Sequence, residues 1–387
     1  MNSDSNVDDL STEMASASLD DGGTDPEQLL FKPPLDSKAY KSLDDIPRYL
    51  YRVFVPSSDA KTDSIWVRSK SVLQGRSSST KDIFDYENQQ SIAYQLNMHL
   101  RWRRNGYAEN NFVSWTSSLL FAIQYIYYRR FKDHDKPSLN DIELHVIDTT
   151  SFPTGTFMRD LDLMDFFGEY DYDRHPHYYP PNYNLPNLRT FRNEHLEGYY
   201  FGEYLSQGSL KIESNFQMIT ANVLFDNDRL HRLQPAFAAL YRDPEDGVPK
   251  WADAVIDLRK AIWPQTTRLL SSAEINRRLQ AVKEIVDNSA PSYRFPLGIY
   301  LAALTGTEST TEDQGTADDN VIFQFFRLGT WDGQEHSGFQ PFNFDVIAPD
   351  TMPELKHVQT LVRETHKHFL LTQALSQLMP TVSYPPI

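Results

Sequence analysis

Residues 112–130 read FVSWTSSLLFAIQYIYYRR. The first five are aromatic or β-branched around a single Ser114, a composition typical of a short β-strand. In an alternating strand Trp115 faces the side opposite Ser114 and Thr116, so the indole can join the core while two hydroxyl groups remain available to a site. From Ser117 to Arg130 most residues are apolar or aromatic, which predicts a buried helix.

The two hydroxyl residues at this junction have a second interpretation. Ser and Thr are favoured immediately before a helix, because their side-chain oxygen accepts a hydrogen bond from an unpaired backbone N–H of the first turn. Thr116 or Ser117 could therefore act simply as a helix cap. The two interpretations are compatible, and the sequence leaves both open.

Two further segments have the same strand-like composition. Residues 51–54 read YRVF and residues 199–205 read YYFGEYL. Each carries a charged residue on an otherwise aromatic and apolar element, Arg52 in the first and Glu203 in the second. An arginine can bind a phosphate group through charge-assisted hydrogen bonds, and a glutamate can place negative charge beside a developing cation. The alternative is that both are exposed or ion-paired strand residues.

An Arg, a Ser-x-Thr and a Glu on three successive strand-like segments resemble the core of the Arg-Ser-Glu class of ADP-ribosyltransferases. In that class a strand ends in Ser-Thr-Ser and continues into a helix; here Trp115 takes the central place. The resemblance implies an α+β fold with a split β-sheet, and NAD as substrate without a metal ion. It implies Glu203 as the catalytic carboxylate and Arg52, Ser114 and Thr116 as the residues that bind the cofactor.

One position departs from the family pattern. The family has Gln or Glu two residues before the catalytic Glu, where it helps to activate the acceptor, and this chain has Phe201 there. A phenyl ring cannot accept a proton, so the departure argues against arginine as the acceptor. A different acceptor, plain NAD hydrolysis or a lost activity remain open.

Several segments also resemble an uncharacterised domain family of filamentous fungi. They are YLYRVF at 49–54, FVSWTSSLLFA at 112–122, RDLDL at 159–163 and YYFGEYLSQGSLKI at 199–212. This resemblance covers about residues 46–225 and implies no activity. It leaves a rival hypothesis from another class, a catalytically silent interaction module in fungal signalling or in recognition of self and non-self.

The chain divides into three predicted regions. Residues 1–35 are acidic and Ser-rich, which predicts a disordered tail. Residues 46–226 mix strand and helix patterns and form the predicted α+β domain, in which the acids that follow Arg159 have the spacing of a helix start. Residues 229–380 predict a mainly helical domain, with a capping box at Ser271–Glu274.

The composition limits the classes of function. The formal net charge of the 387 residues is −16, which disfavours nucleic acids and anionic membranes as partners, and cysteine is absent, which excludes disulfides and thiolate metal sites. We find no signal peptide and no apolar run of about 20 residues. We therefore expect an intracellular protein of the cytoplasm or nucleus, with NAD and an unidentified protein acceptor or partner as its ligands.

Overall fold

The computed structural model describes residues 28–102, 110–171, 183–192, 199–241, 251–264, 270–306, 321–328, 331 and 352–378. Within these ranges the fold is mixed α+β, with antiparallel sheets in the N-terminal part followed by helices. The predicted α+β class is confirmed. None of the described helices combines the length and the apolar character that crossing a membrane requires.

The described strands are β1 (Tyr49–Phe54), β2 (Lys61–Thr62), β3 (Trp66–Arg68), β4 (Phe112–Thr116), β5 (Glu143–Asp148), β6 (Met158–Arg159), β7 (Glu203–Gln207), β8 (Ser209–Lys211) and β9 (Phe216–Thr220). The described helices are α1 (Lys38–Lys41), α2 (Lys70–Leu73), α3 (Gln89–Leu100), α4 (Leu119–Phe131), α5 (Asp160–Phe167), α6 (Leu185–Phe191), α7 (Ala221–Phe225), α8 (Arg229–Leu233), α9 (Trp251–Ile262), α10 (Ser272–Val286), α11 (Pro291–Ala303), α12 (Val321–Leu328) and α13 (Pro353–Leu378).

The strands form two sheets. The larger has six strands in the order β6-β7-β4-β1-β5-β9, and the smaller has three in the order β2-β3-β8. All recorded strand pairs are antiparallel. The three strands that carry Arg52, Ser114 and Glu203 are therefore direct neighbours, β1, β4 and β7, although about 150 residues of chain separate the first from the last.

Alternation along the central strands separates two apolar clusters. One face, which includes Tyr51, Phe112 and Leu205, packs against helices, while Trp115 and Tyr204 on the other face pack with the smaller sheet. Trp115 lies on the side opposite Ser114 and Thr116 and is buried, as its alternation in the strand predicts. Its Nε1–H donates to Ser206 Oγ at 3.0 Å, so the indole buries no unpaired donor.

The helices that follow residue 229 share the core of the sheet. Tyr300 of α11 makes edge-to-face contacts with Tyr49 and Tyr51 of β1, at ring-centroid distances of 6.3 and 5.5 Å. The same hydrophobic cluster contains residues of α4, α9, α11 and α13. The helical region is thus packed directly on the sheet.

The structure corrects two local predictions. The cap of α4 is Ser118, whose Oγ accepts from the backbone N–H of Phe121, and not Thr116 or Ser117. In addition, the predicted disordered tail is too long. Residues 28–35 are described, the Phe31 side chain is 2% exposed, and its N–H donates to the Gly155 carbonyl at 2.8 Å. Residues 1–27 of the predicted tail lie outside the described part of the chain.

Burial of Phe31 generates the first prediction. Its ring packs edge-to-face on Phe84 at 6.5 Å and is part of the main core. Phe31→Ala should lower the free energy of unfolding by about 3–5 kcal/mol, because truncation leaves a cavity that the surroundings fill only in part. Chemical denaturation of both proteins measures the difference.

The matched control for this prediction is Leu35→Ala, since Leu35 lies four residues on and is 76% exposed. This variant should be within about 0.5 kcal/mol of the wild type. Equal, small effects of both substitutions would show that the segment does not contribute to the core.

Candidate functional site

The register around β4 places three side chains together. Thr116 lies directly opposite Glu203 on β7 and opposite Tyr51 on β1. Directly opposed residues project from the same face of a sheet, and Ser114 joins them because it is two residues from Thr116. Ser114, Thr116 and Glu203 therefore share the face that packs against the helices.

Arg52 does not share this face. It follows Tyr51 in β1, so its Cβ projects towards the smaller sheet. Arg52 therefore leaves the sheet on the face opposite to that of Ser114 and Glu203. The guanidinium nevertheless reaches back to β4, where Nη1 donates to the Ser114 carbonyl at 3.0 Å.

A separation between β1 and β4 explains how Arg52 still reaches the site. These strands pair at a single position, Tyr51 with Thr116, whereas β4 pairs with β7 at five positions. A cavity of about 210 Å³ opens where β1 and β4 diverge, and consecutive residues of both strands line it, 51–53 and 112–116. Arg52, Ser114, Thr116 and Glu203 all line this one cavity. The structure thus brings together all four predicted site residues.

A chain of hydrogen bonds runs through Ser114. Its Oγ lies 2.7 Å from Glu203 Oε1 and 2.8 Å from His99 Nε2. The ionised carboxylate can only accept, so the single hydroxyl hydrogen goes to Glu203 and His99 must donate from Nε2. Burial lowers the pKa of His99 to about 4, so the ring is neutral at pH 7 and the contact with Ser114 places its single ring proton on Nε2.

Arg192 joins Glu203 to a second carboxylate. Its Nη1 lies 2.6 Å from Glu203 Oε2 and also donates to Asp160 Oδ2, and its Nη2 donates to the Leu100 carbonyl at 2.7 Å. Asp160 is completely buried, and burial raises the pKa of its carboxyl group despite the guanidinium. The acid at the start of α5 is therefore part of the site and not merely a favourable charge at a helix N-terminus.

Arg52 differs from the other cations of the cavity. Lys70, Arg129 and Arg192 each lie within 4 Å of a carboxylate. Arg52 is 8% exposed and donates only to the carbonyls of Ser114 and Ala60, and within the described residues its Nε has no partner. Burial lowers its pKa to about 10, so it stays charged at neutral pH. A buried cation without a counter-charge provides a site for an anion.

The hydroxyl of Thr116 is already used within the protein. Oγ1 donates to the Phe201 carbonyl at 2.6 Å and accepts from the Ser118 N–H at 3.0 Å. The hydroxyl therefore has no hydrogen left to donate to a cofactor. The hydroxyl instead fixes the segment that leads to Glu203.

An aromatic wall lines the cavity beside Glu203. The rings of Phe201 and Phe121 are stacked, with centroids 5.2 Å apart, and Tyr125 continues the row at 6.2 Å from Phe121. Trp102 meets Tyr125 edge-to-face at 5.0 Å. Planar, apolar surfaces of this kind suit a heteroaromatic ring.

The described residues contain one candidate metal site, and Arg129 already occupies its carboxylates. The one group of three potential ligands found there is Asp133, His134 and Asp135. The guanidinium of Arg129 is paired with both aspartates, at 2.9 and 2.6 Å, which offsets the negative charge that a cation would need.

Comparison with known proteins finds one similarity. Residues 45–183 are similar to DUF7587, a domain of unknown function. No curated protein and no solved structure matches the chain. Arg52, His99, Ser114 and Asp160 lie inside the matched range, whereas Arg192 and Glu203 follow it.

Sequence reasoning missed His99 and Arg192 altogether. His99 follows Ile92 and Leu96 at helical spacing, so its place on the buried face of α3 could have been found from the same pattern that predicted the helix. Arg192 follows a short helix with no periodic pattern of its own. Nothing local marks it as the partner of Glu203.

The low pKa of His99 generates a prediction about pH. Between its ordinary value of 6.5 and about 4, the unfolded chain binds a proton at His99 and the folded chain does not. The free energy of unfolding contributed by this position must then fall as the pH falls through that window. Relative to His99→Gln, the wild type should lose up to about 3 kcal/mol between pH 6.5 and 4.

Denaturation curves at several pH values measure this difference. Asp160 titrates in both proteins, so its opposite contribution cancels from the comparison. Parallel curves for the wild type and His99→Gln would show that the His99 ring is not held neutral.

Proposed function

We propose that the protein binds NAD in the cavity between β1 and β4 and catalyses ADP-ribosyl transfer or NAD hydrolysis. One observation carries the proposal. A glutamate oriented by a serine of the neighbouring strand shares a cavity with a buried arginine that has no carboxylate partner among the described residues. The adjacency of β1, β4 and β7 also agrees with the resemblance to the Arg-Ser-Glu class.

Glu203 is the proposed catalytic carboxylate. Cleavage of the bond between nicotinamide and ribose passes through an oxocarbenium-like state, and a fixed negative charge beside the ribose stabilises it. Ser114 holds one carboxylate oxygen at 2.7 Å and thereby fixes its direction. Each carboxylate oxygen has two lone pairs, so both can accept a further hydrogen bond from a ribose hydroxyl.

Arg52 is the proposed phosphate ligand. A pyrophosphate oxygen would supply the counter-charge that the described residues do not give to this guanidinium. Arg52 lies across the opening from Glu203, so the two groups would contact different parts of one extended ligand. The hydrogen bond to the Ser114 carbonyl holds Arg52 in position beside β4.

The aromatic wall favours water or an acceptor other than arginine. Phe201 takes the position from which a polar residue would activate the acceptor, and its ring is stacked on Phe121. The guanidinium of Arg259 covers the ring at 5.3 Å from its centroid. Nothing at this position can take a proton, so NAD hydrolysis is the simpler of the two reactions for this site.

One contact favours the rival function, a catalytically silent interaction module. Arg192 lies 2.6 Å from Glu203 and offsets part of the negative charge on which catalysis would depend. If this ion pair persists with NAD bound, the cavity would bind the dinucleotide without cleaving it. Binding and cleavage must therefore be measured separately.

Glu203→Gln tests the catalytic role. The amide keeps the shape of the side chain and can still accept from Ser114, but it removes the negative charge. Release of nicotinamide from NAD should fall at least about 100-fold, the effect of removing one electrostatic stabiliser. NAD affinity, measured by calorimetry, should change little, because the charge acts mainly in the transition state.

Glu213→Gln is the matched control for Glu203→Gln. Glu213 is exposed and pairs loosely with Lys211 at 3.5 Å, so its loss should leave nicotinamide release unchanged. A wild type that binds NAD without cleaving it would leave the silent module as the function. A wild type that does not bind NAD would exclude both NAD-dependent reactions.

Arg52→Met tests the phosphate contact through two effects of opposite sign. NAD affinity should fall by about 10–100-fold, the range for hydrogen bonds to a charged group. The free energy of unfolding without ligand should stay equal or rise, because the substitution removes a buried charge that lacks a counter-ion. Arg68→Met is the control, because Arg68 is paired with Asp63 at the smaller sheet, and it should leave NAD affinity unchanged. A large loss of stability in Arg52→Met would show that the arginine is structural.

A further inference from the structure

Residues 200–202 lead into Glu203, and the carbonyl oxygen of each of them accepts a hydrogen bond. The Gly202 carbonyl accepts from the Ser117 N–H at 2.8 Å, and the Phe201 carbonyl accepts from Thr116 Oγ1 at 2.6 Å. Both donors lie at the end of β4. The Tyr200 carbonyl is held from elsewhere, by Arg259 Nη1 of α9 at 3.1 Å. The backbone before Glu203 is thus fixed partly by the sheet and partly by the helical region.

Arg259 is itself held by a bidentate ion pair. Its Nε and Nη2 donate to the two oxygens of Glu354, at 3.0 and 2.7 Å, in the first turn of α13. Glu354 Oε1 also accepts from Ser118 Oγ at 2.6 Å, and Ser118 is the cap of α4. Both charged side chains are almost completely buried, at 2% and 3% exposure. One buried pair therefore links α9, α13 and the start of α4 to the segment before Glu203.

Two other contacts reinforce the same link. Tyr199 Oη donates to Asp253 of α9 at 2.9 Å. Gly202 has φ +65°, and a Cβ there would lie 2.0 Å from Ser117 Oγ and 2.6 Å from the methyl group of Met352, the residue immediately before α13. Position 202 is therefore enclosed both by the end of β4 and by the residue that leads into α13.

We propose that Arg259 and Glu354 are positioning residues for Glu203, so that the helical region completes a site of which the matched range 45–183 supplies only one part. The inference rests on the proposed function for the reaction it affects. Neither residue lines the cavity or contacts Glu203. They act through the backbone at residues 200–202, which sets where the carboxylate of Glu203 lies relative to Ser114.

The buried ion pair provides hydrogen bonds with a fixed direction, which apolar side chains cannot provide. A hydrophobic pair of similar volume would pack equally well and often stabilises a protein as much. It could not donate to the Tyr200 carbonyl or accept from Ser118. The bidentate geometry fixes the orientation of the guanidinium and hence of the third hydrogen bond, the one to the Tyr200 carbonyl.

The experiment compares two variants of the Arg259–Glu354 ion pair in the full-length chain. Glu354→Gln removes the charge but leaves Arg259 unpaired, which can unfold the protein. The double variant Arg259→Met, Glu354→Leu removes both charges and keeps the volume, so it should stay folded while losing the hydrogen bonds to Tyr200 and Ser118. Glu284→Gln is the control, because it breaks a pair with Arg232 within the helical region and away from the cavity.

The first measurement is steady-state nicotinamide release. In the double variant kcat should fall at least about tenfold, with KM within about threefold, since a small displacement of the carboxylate affects the transition state more than NAD binding. Glu284→Gln should retain both constants. A folded double variant with unchanged kcat would overturn the inference.

The second measurement needs no activity. His99 donates to Ser114 beside Glu203, so its imidazole NMR signals, assigned by comparison with His99→Gln, report on the carboxylate. Displacement of Glu203 should shift these signals in the double variant and not in Glu284→Gln. Unshifted signals would overturn the inference even if the wild type does not cleave NAD. Shifted signals with an inactive wild type would support the positioning role and overturn only the proposed reaction.

Discussion

The position of Thr116 at the end of β4 is the constraint on which the site depends. It is the one residue paired both with β7, through Glu203, and with β1, through Tyr51. Its hydroxyl then fixes the carbonyl of Phe201 and the first N–H of the turn into α4. Thr116 therefore takes part in the pairing of the strands, in the start of α4 and in holding the segment before Glu203. Its side chain is 5% exposed.

Charge in the cavity is balanced unevenly. On one side of the opening Glu203 and Asp160 share Arg192, so two carboxylates lie against one guanidinium. On the other side Arg52 donates, among the described residues, to two carbonyl oxygens. An extended ligand with an anionic part near Arg52 and a developing cation near Glu203 would complement both sides. This polarity is the physical basis for proposing a dinucleotide and not a neutral ligand.

The sequence predicts the elements of the site well because they are local. The composition of β1, β4 and β7 identifies three strands, and alternation assigns Trp115 to the core. What local patterns cannot supply is the register between strands, since a shift of one residue exchanges the faces. The face of Arg52 relative to Ser114 could therefore not be predicted, whereas the face of Ser114 relative to Trp115 followed from their own strand.

The residues that sequence reasoning missed are those whose role depends on distant partners. Arg192 acquires its function from Asp160 and Glu203, which lie on α5 and β7. Arg259 and Glu354 lie in the region that was predicted only to be mainly helical, and packing brings their pair to the Tyr200 carbonyl. Phe31 was assigned to a tail because the apolar run Leu29–Phe31 is too short to show the period of a helix or a strand.

The single pairing position between β1 and β4 has a mechanical consequence. The large sheet consists of two three-stranded halves, β6-β7-β4 and β1-β5-β9, hinged at Tyr51 and Thr116. The width of the opening depends on the angle between the halves as well as on the side chains that line it. A change in twist transmitted through α4 or α11 would alter the capacity of the cavity while every lining residue stayed the same. The size of the ligand that the cavity can hold would then depend on the whole sheet.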